Sequence, residues 1–300
     1  MRKILILFLI IFGIFLWGGF YLPKDSEAKE GKLFLVETGQ NLFQIGKNLE
    51  KEGLIKNRFY FTFYVLIKGS QRKLQAGEYT FNPSMSVAEI AKKIISGDIA
   101  KMIVTIPEGF TVKQIEEKLN LKLPGENLEG FLFPDTYEFP LNVKGEDIVK
   151  KMMENFDKKL APYQNEISDS GKTLFDVITM ASLLEKEVKT KEDKELVSGI
   201  LWKRLESGIP LQVDATIAYI TGKKIIKVSK EDTEIDSPYN TYKYLGLPLG
   251  PICNPGLESI QAALYPESSE YWYYLSTPEG ETIFNKTLEE HNIDKAKYLK

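Results

Sequence analysis

Acid–base chemistry from a buried position requires a titratable group on an apolar face, and this 300-residue chain offers one at Glu185. The segment 173–187, TLFDVITMASLLEKE, is apolar nearly all round and is predicted to be a helix. Glu185 follows Ile178 by seven positions, Ala181 by four and Ser182 by three, so it projects from the buried stripe. A carboxyl group in apolar surroundings resists ionising. Its pKa rises, and it can hold a proton near neutral pH as a general acid. The plainer alternative is a buried Glu paired with a Lys or Arg. Glu187, two positions on, is turned about 200° around the helix and is expected to face elsewhere in a supporting role.

The composition removes the competing chemistries. Cys253 and His291 are the one cysteine and the one histidine, so neither an intrachain disulfide nor a zinc site of the usual Cys/His type can be assembled. Cys253 reads as a small buried hydrophobe and His291 as a structural hydrogen-bonder. Neither G-x-G-x-x-G nor G-x-x-x-x-G-K-[ST] occurs. No metal and no organic cofactor are expected. Net charge is −3, and without the basic residues Arg2, Lys3 and Lys24 of the first 24 positions it is −6, with 36 basic against 42 acidic side chains. Such a body gains nothing from counterion release, so nucleic acid is not an expected partner.

Four segments must position this chemistry. Residues 1–24 hold an uncharged run, Ile4 to Leu22, with Arg2 and Lys3 before it and Trp17 and Tyr21 near its far end. As a helix the run is about 28 Å long, close to the thickness of a bilayer core. It lacks a small-x-small cleavage site, which favours an uncleaved anchor over a signal peptide. The positive-inside bias puts the N-terminus in the cytoplasm and the rest outside a cell (inner) membrane. Residues 25–32 read as a polar linker.

From 33 to 100 a strand–turn–helix pattern recurs, and a third copy lies beside the boundary near residue 100 and could belong to either side. The copies run Leu35–Leu49, Tyr79–Ile94 and Ile103–Leu119. Ser86 with Glu89, and Thr111 with Gln114, have capping-box spacing. These units resemble LysM modules, and the resemblance implies binding of N-acetylglucosamine polymers. A spacer or oligomerisation role is the alternative. Residues 101–300 form the larger part, giving an α+β protein with a small LysM-like β/α domain and a mixed α+β catalytic domain. Within it, the aromatic stretch 130–140 reads as extended against a cleft or core. Helices are predicted around 145–165, 172–188 and 191–207. Loops rich in Pro and Gly follow 235, then a C-terminal hairpin and a final helix.

Five motifs occur in order: 181–187 ASLLEKE, 211–216 LQVDAT, 237–242 SPYNTY, 246–256 GLPLGPICNPG, and Phe284-Asn285 with His291-Asn292. Together they resemble the endolytic murein transglycosylases of the MltG (YceG-like) family, over essentially the whole chain after the anchor and with the N-terminal anchor included. The departures, Leu-Leu before Glu185 and Val188 after Glu187, are conservative in volume. The resemblance implies cleavage of the β-1,4 bond between N-acetylmuramic acid and N-acetylglucosamine within peptidoglycan strands. It implies 1,6-anhydro ends on the products, strand termination beside cell-wall synthesis proteins, and Glu185 as the catalytic group. One carboxyl suffices, because the substrate's own 6-hydroxyl is the nucleophile.

Asp214 could take a second polar role or cap a helix starting at Ala215. Asn240 and Asn285 could bind N-acetyl groups or simply make turns. Tyr239, Thr241 and Tyr242 would line sugar subsites or pack as ordinary loop residues. A hydrolase acting on the same bond, with Asp214 or Glu187 positioning water, and a non-catalytic glycan-binding scaffold are the rival readings.

Overall fold

A computed structural model describes residues 2–223 and 228–298. The chain divides into two units, residues 1–103 with 138–143, and residues 104–137 with 144–300. The architecture is mixed α+β, and among the described residues the strands pair two by two.

The first unit opens with α1 (Arg2–Tyr21), followed by β1 (Lys32–Val36), α2 (Leu42–Lys51), α3 (Arg58–Ile67), β2 (Gly77–Phe81) and α4 (Val87–Ser96). β1 and β2 are antiparallel, with Phe34 opposite Tyr79. The period-2 alternation puts Phe34, Val36, Tyr79 and Phe81 on one face. Against it pack Ile45 and Leu49 of α2, Phe61 and Val65 of α3, and Ile90 and Ile94 of α4. The capping boxes expected at Ser86–Glu89 and Thr111–Gln114 are both formed, the latter at the start of α5 in the second unit. Helix α3, with its Asn57 cap, lies in a stretch where the sequence pattern announced no element.

The chain leaves and re-enters the first unit within two paired strands, β3 (Lys101–Thr105) and β4 (Thr136–Pro140), with α5 (Val112–Leu119) between them. The second unit continues with α6 (Gly145–Leu160), a 3₁₀ turn, α7 (Gln164–Asp169), α8 (Leu174–Glu187), α9 (Lys191–Glu206) and α10 (Asp214–Thr221). The short α11 (Lys230–Thr233), α12 (Leu257–Leu264), the antiparallel hairpin β5 (Tyr273–Ser276) and β6 (Thr282–Asn285), and α13 (Leu288–Tyr298) complete it.

Helix α8 is the axis of this unit. Thr173 caps it, with Asp176 returning the bond, and residues 177–184 are all buried. Its apolar side chains pack against Val197 and Leu201 of α9 and Ile260 and Ala263 of α12. Along 177–184 the helix has no wet face, so a polar side chain there bonds to protein, as Ser182 does, or stays unpaired among the described residues, as the Thr179 hydroxyl does. Gly199 of α9 lets the chain at Glu267 approach, since a Cβ there would lie 1.8 Å from the Glu267 carbonyl oxygen.

Candidate active site

The loop 252–256 is strapped to α8 through backbone groups. Ser182 Oγ accepts the Ile252 N–H at 3.0 Å and donates to the Thr179 carbonyl at 2.7 Å. Asn254 ties the loop to the rest of the site. Its Oδ1 accepts the Leu132 N–H, and its Nδ2 donates to the Phe110 carbonyl and to Glu129 Oε1. The Gly109 N–H donates to the Asn254 carbonyl at 2.8 Å. Buried Cys253 packs in the same loop, and burial pushes its thiol well above the ordinary range, as an inert small side chain requires.

Glu185 lies at the end of this strap. Its Oε2 accepts the Ser259 hydroxyl at 2.5 Å and the Gly256 N–H at 3.1 Å, and it meets the Lys194 ammonium at 3.5 Å. Gly256 is the N-cap of α12, so the carboxylate also sits at the positive end of that helix. Among the described residues no group donates to Oε1, and the side chain keeps 10% of its exposure. One oxygen is therefore fixed and the other is open.

This corrects the expectation of an apolar pocket around Glu185. Helix periodicity located the stripe correctly, but the stripe's last residue emerges among polar donors brought by α9 and α12. A Lys partner is present, as the plainer reading required. Glu108 shares the cluster, its carboxyl raised by burial and by the Glu185 charge. A side chain at Gly256 would collide with it, a Cβ lying 2.0 Å from Glu108 Oε1.

A cleft of about 800 Å³ opens beside the C-terminal end of α8, lined by Glu129, Lys186, Glu187, Asp214, Tyr219 and Ile252 among others. Burial pushes Glu129 up to about 7 against the opposing Val112 N–H. Burial, then the Asp214 charge, pushes Glu187 up to about 7. Glu187 accepts the Tyr274 hydroxyl at 3.1 Å and the Ala215 N–H at 3.4 Å. Two carboxyl groups that can hold protons near neutrality thus face one cavity.

Asp214 is the first residue of α10, and Val213 occupies the cap position. The capping role considered for Asp214 is not realised. Its carboxylate instead accepts the Tyr242 hydroxyl, whose pKa is raised by burial and by that bond. Tyr239 packs on Tyr219 with ring centroids 5.0 Å apart. Asn240 is 1% exposed and spends both ends on its own loop, donating to the Thr233 and Ile235 carbonyls and accepting the Tyr242 N–H. Thr241 Oγ1 accepts the Val213 N–H and meets Thr216 Oγ1, pinning the approach to α10.

Asn285 donates to Asp294 and joins the hairpin to α13. His291 stacks on Tyr273, and burial lowers its pKa. The structure therefore brings Glu187 and Asp214 to the cleft, with Tyr242 bonded to Asp214, and leaves Asn285 and His291 at the hairpin. Glu129, Lys194 and Ser259 were not singled out in the sequence. Glu129 immediately precedes the aromatic stretch 130–140, but no periodicity marks it.

A model of the YceG-like family matches residues 34–297. The chain belongs to the YceG-like family. It is 35% identical to the endolytic murein transglycosylase of Bacillus subtilis, over 97% of this chain and 91% of that protein. It is 29% identical to the endolytic murein transglycosylase of Streptococcus pneumoniae strain D39, covering 99% of this chain and 65% of that longer protein. Among solved structures, a YceG-like protein of Listeria monocytogenes superimposes with a TM-score of 0.60 at 33% identity, over 89% of this chain and all of that one.

Proposed function

We propose that this chain is an endolytic lytic transglycosylase that cuts MurNAc–GlcNAc β-1,4 bonds inside peptidoglycan strands and leaves 1,6-anhydro-MurNAc ends. Membership of a family whose relatives carry that name supports the reaction class. The single observation that carries the assignment of the acid is the asymmetry of Glu185, with Oε2 held by three donors and Oε1 open. A carboxyl held in one rotamer can give its proton to the leaving glycosidic oxygen from Oε1. The same atom can then take the proton of the muramyl 6-hydroxyl as that oxygen attacks the anomeric carbon. Lys194, Ser259 and the α12 N-terminus hold the carboxylate while it cycles. Glu187, Asp214 and Tyr242 are assigned to the adjoining subsites, with Glu129 across the cleft.

A second reading, hydrolysis of the same bond, is favoured by one observation. Glu187 and Asp214 line the cleft beside the C-terminal end of α8, which Glu185 itself does not line, and a second carboxyl group near the acid is what a water-activating glycosidase uses. Purified strands digested by the full chain and analysed by mass spectrometry separate the two. Anhydro ends are expected, and reducing ends would assign the chain as a hydrolase. Glu185→Gln keeps the shape and abolishes proton transfer. Cleavage should fall by at least about 10²-fold, the contribution typical of a general acid, while strand binding persists. Undiminished cleavage would remove Glu185 from the mechanism.

The N-terminal helix α1 is assigned as a single-pass anchor with Arg2 and Lys3 on the cytoplasmic side, so that the catalytic unit acts outside the cell membrane. Its length of 20 residues and the exposure of nearly all its apolar side chains support this. Tethered there, the enzyme would end strands beside the proteins that make them. The antiparallel β1–β2 pair with α2 and α3 between the strands is assigned as LysM-like and as a glycan-binding surface.

A further inference from the structure

In the first unit α1 does not stand clear of the folded residues. Its Phe20 is buried, with ring centroids 5.3 Å from Tyr64, 6.3 Å from Phe63 and 6.4 Å from Tyr60, all on α3. Phe15 lies 5.5 Å from Tyr60. Gly19 makes this approach possible, since a Cβ there would fall 2.0 Å from the Tyr60 ring. Phe15 precedes Tyr21 by six residues, about 9 Å along a helix. If residues 4–22 span the bilayer, the ring that touches Phe15 stands at or below the outer interface, and α3 comes with it.

Helix α3 is built for that position. Its core face is Phe61 and Val65. Phe59, Phe63, Leu66 and Ile67 follow at spacings of four, three and one, which is a second apolar stripe. Phe59, Leu66 and Ile67 are 47%, 46% and 60% exposed, and the Phe59 and Phe63 rings stack at 5.5 Å. Lys56 and Arg58 precede the stripe and Lys68, Arg72 and Lys73 follow it, with no acidic residue between Glu52 and Glu78. An apolar stripe with cations at both ends and tyrosines at its border is the pattern of a helix lying in the boundary of an anionic bilayer.

We propose that α3 is an interfacial membrane helix that seats Phe59, Leu66 and Ile67 among lipid acyl chains, with the flanking Lys and Arg side chains on anionic headgroups. It holds the first unit flat against the surface from which α1 emerges. This inference rests on the reading of α1 as a membrane anchor.

The full chain carrying Phe59→Cys, Ile67→Cys or Ser96→Cys is labelled with an environment-sensitive fluorophore. Native Cys253 is fully buried. Ser96 is exposed at the end of α4 remote from Pro83, whose carbonyl accepts the Asp25 N–H just beyond α1. The labelled proteins are reconstituted into vesicles of phosphatidylcholine and phosphatidylglycerol with brominated acyl chains. Loss of fluorescence is expected at positions 59 and 67 and not at 96. Protein that floats with the vesicles but keeps full emission at 59 and 67 overturns the inference and leaves the anchor standing. Protein that does not float overturns both. Disulfide-linked dimers through position 59 without quenching would give the face to a second copy of the chain and also overturn the inference.

Discussion

Glu187→Gln tests the electrostatics of the cleft most directly. The Glu187 carboxyl is raised from 4.5 to about 7, first by burial and then by the charge on Asp214. Because its folded pKa lies above its unfolded value, the folded state holds the proton more tightly. Stability is then fully present below about pH 4.5 and declines as pH rises toward about 7. A difference of roughly 2.5 pK units, at 1.36 kcal/mol each, makes the ionised carboxylate cost about 3 kcal/mol above pH 7. Glutamine carries no charge; its oxygen can accept the Ala215 N–H in the place of Oε1, and its amide nitrogen can donate to the Tyr274 hydroxyl oxygen in the place of Oε2. At pH 8 the variant is expected to be more stable than wild type by up to about 3 kcal/mol, or roughly 6–12 °C in Tm for a unit of this size. At pH 4 the advantage disappears. Thermal unfolding of the full chain in detergent, followed by tryptophan fluorescence, reads this out, because Trp202 and Trp272 both lie in the second unit. An advantage of equal size at pH 4 and pH 8, or none at pH 8, would refute the buried, Asp214-coupled carboxylate.

Ser259→Ala removes the shortest bond to Glu185. It should lower kcat about 10-fold, the worth of roughly 1.4 kcal/mol, with KM little changed; a change confined to KM would show that Ser259 does not orient the acid. The wild-type pH profile of kcat/KM should carry a limb near pH 7 that moves in Glu129→Gln, whereas superimposable profiles would remove Glu129 from the working cleft. Gly199→Ala forces a Cβ onto the Glu267 carbonyl. It should destabilise the second unit by about 1–3 kcal/mol, despite the better helix propensity of Ala, and an unchanged Tm would show that the segment at Glu267 shifts freely.

The local devices of the fold were legible because their parts are neighbours in the chain. The capping boxes at Ser86 and Thr111 need only residues three apart, and both form. The α8 helix, the C-terminal hairpin and the stripe leading to Glu185 follow from periodicity and turn chemistry in the same way. Helix α3 was not legible because its ten residues, RFYFTFYVLI, are apolar or aromatic nearly throughout, and so short an apolar run fits a buried strand as well as a helix.

The environment of Glu185 was not legible. Its donors Gly256 and Ser259 are 71 and 74 residues away, and they meet it only because α12 docks its N-terminus against the end of α8. Glu187 is a second case. The 200° turn from Glu185 was right, but α8 is enclosed on all sides, so facing elsewhere meant facing another wall of the same unit rather than solvent. Composition and near spacing settled the α8 helix that carries Glu185, the order of the motifs and the shortage of cysteine and histidine. Which carboxylate is held by donors and which are pushed up to about 7 was set by how the helices of the second unit pack. Burial and long-range hydrogen bonding depend on elements that meet in space and not along the chain.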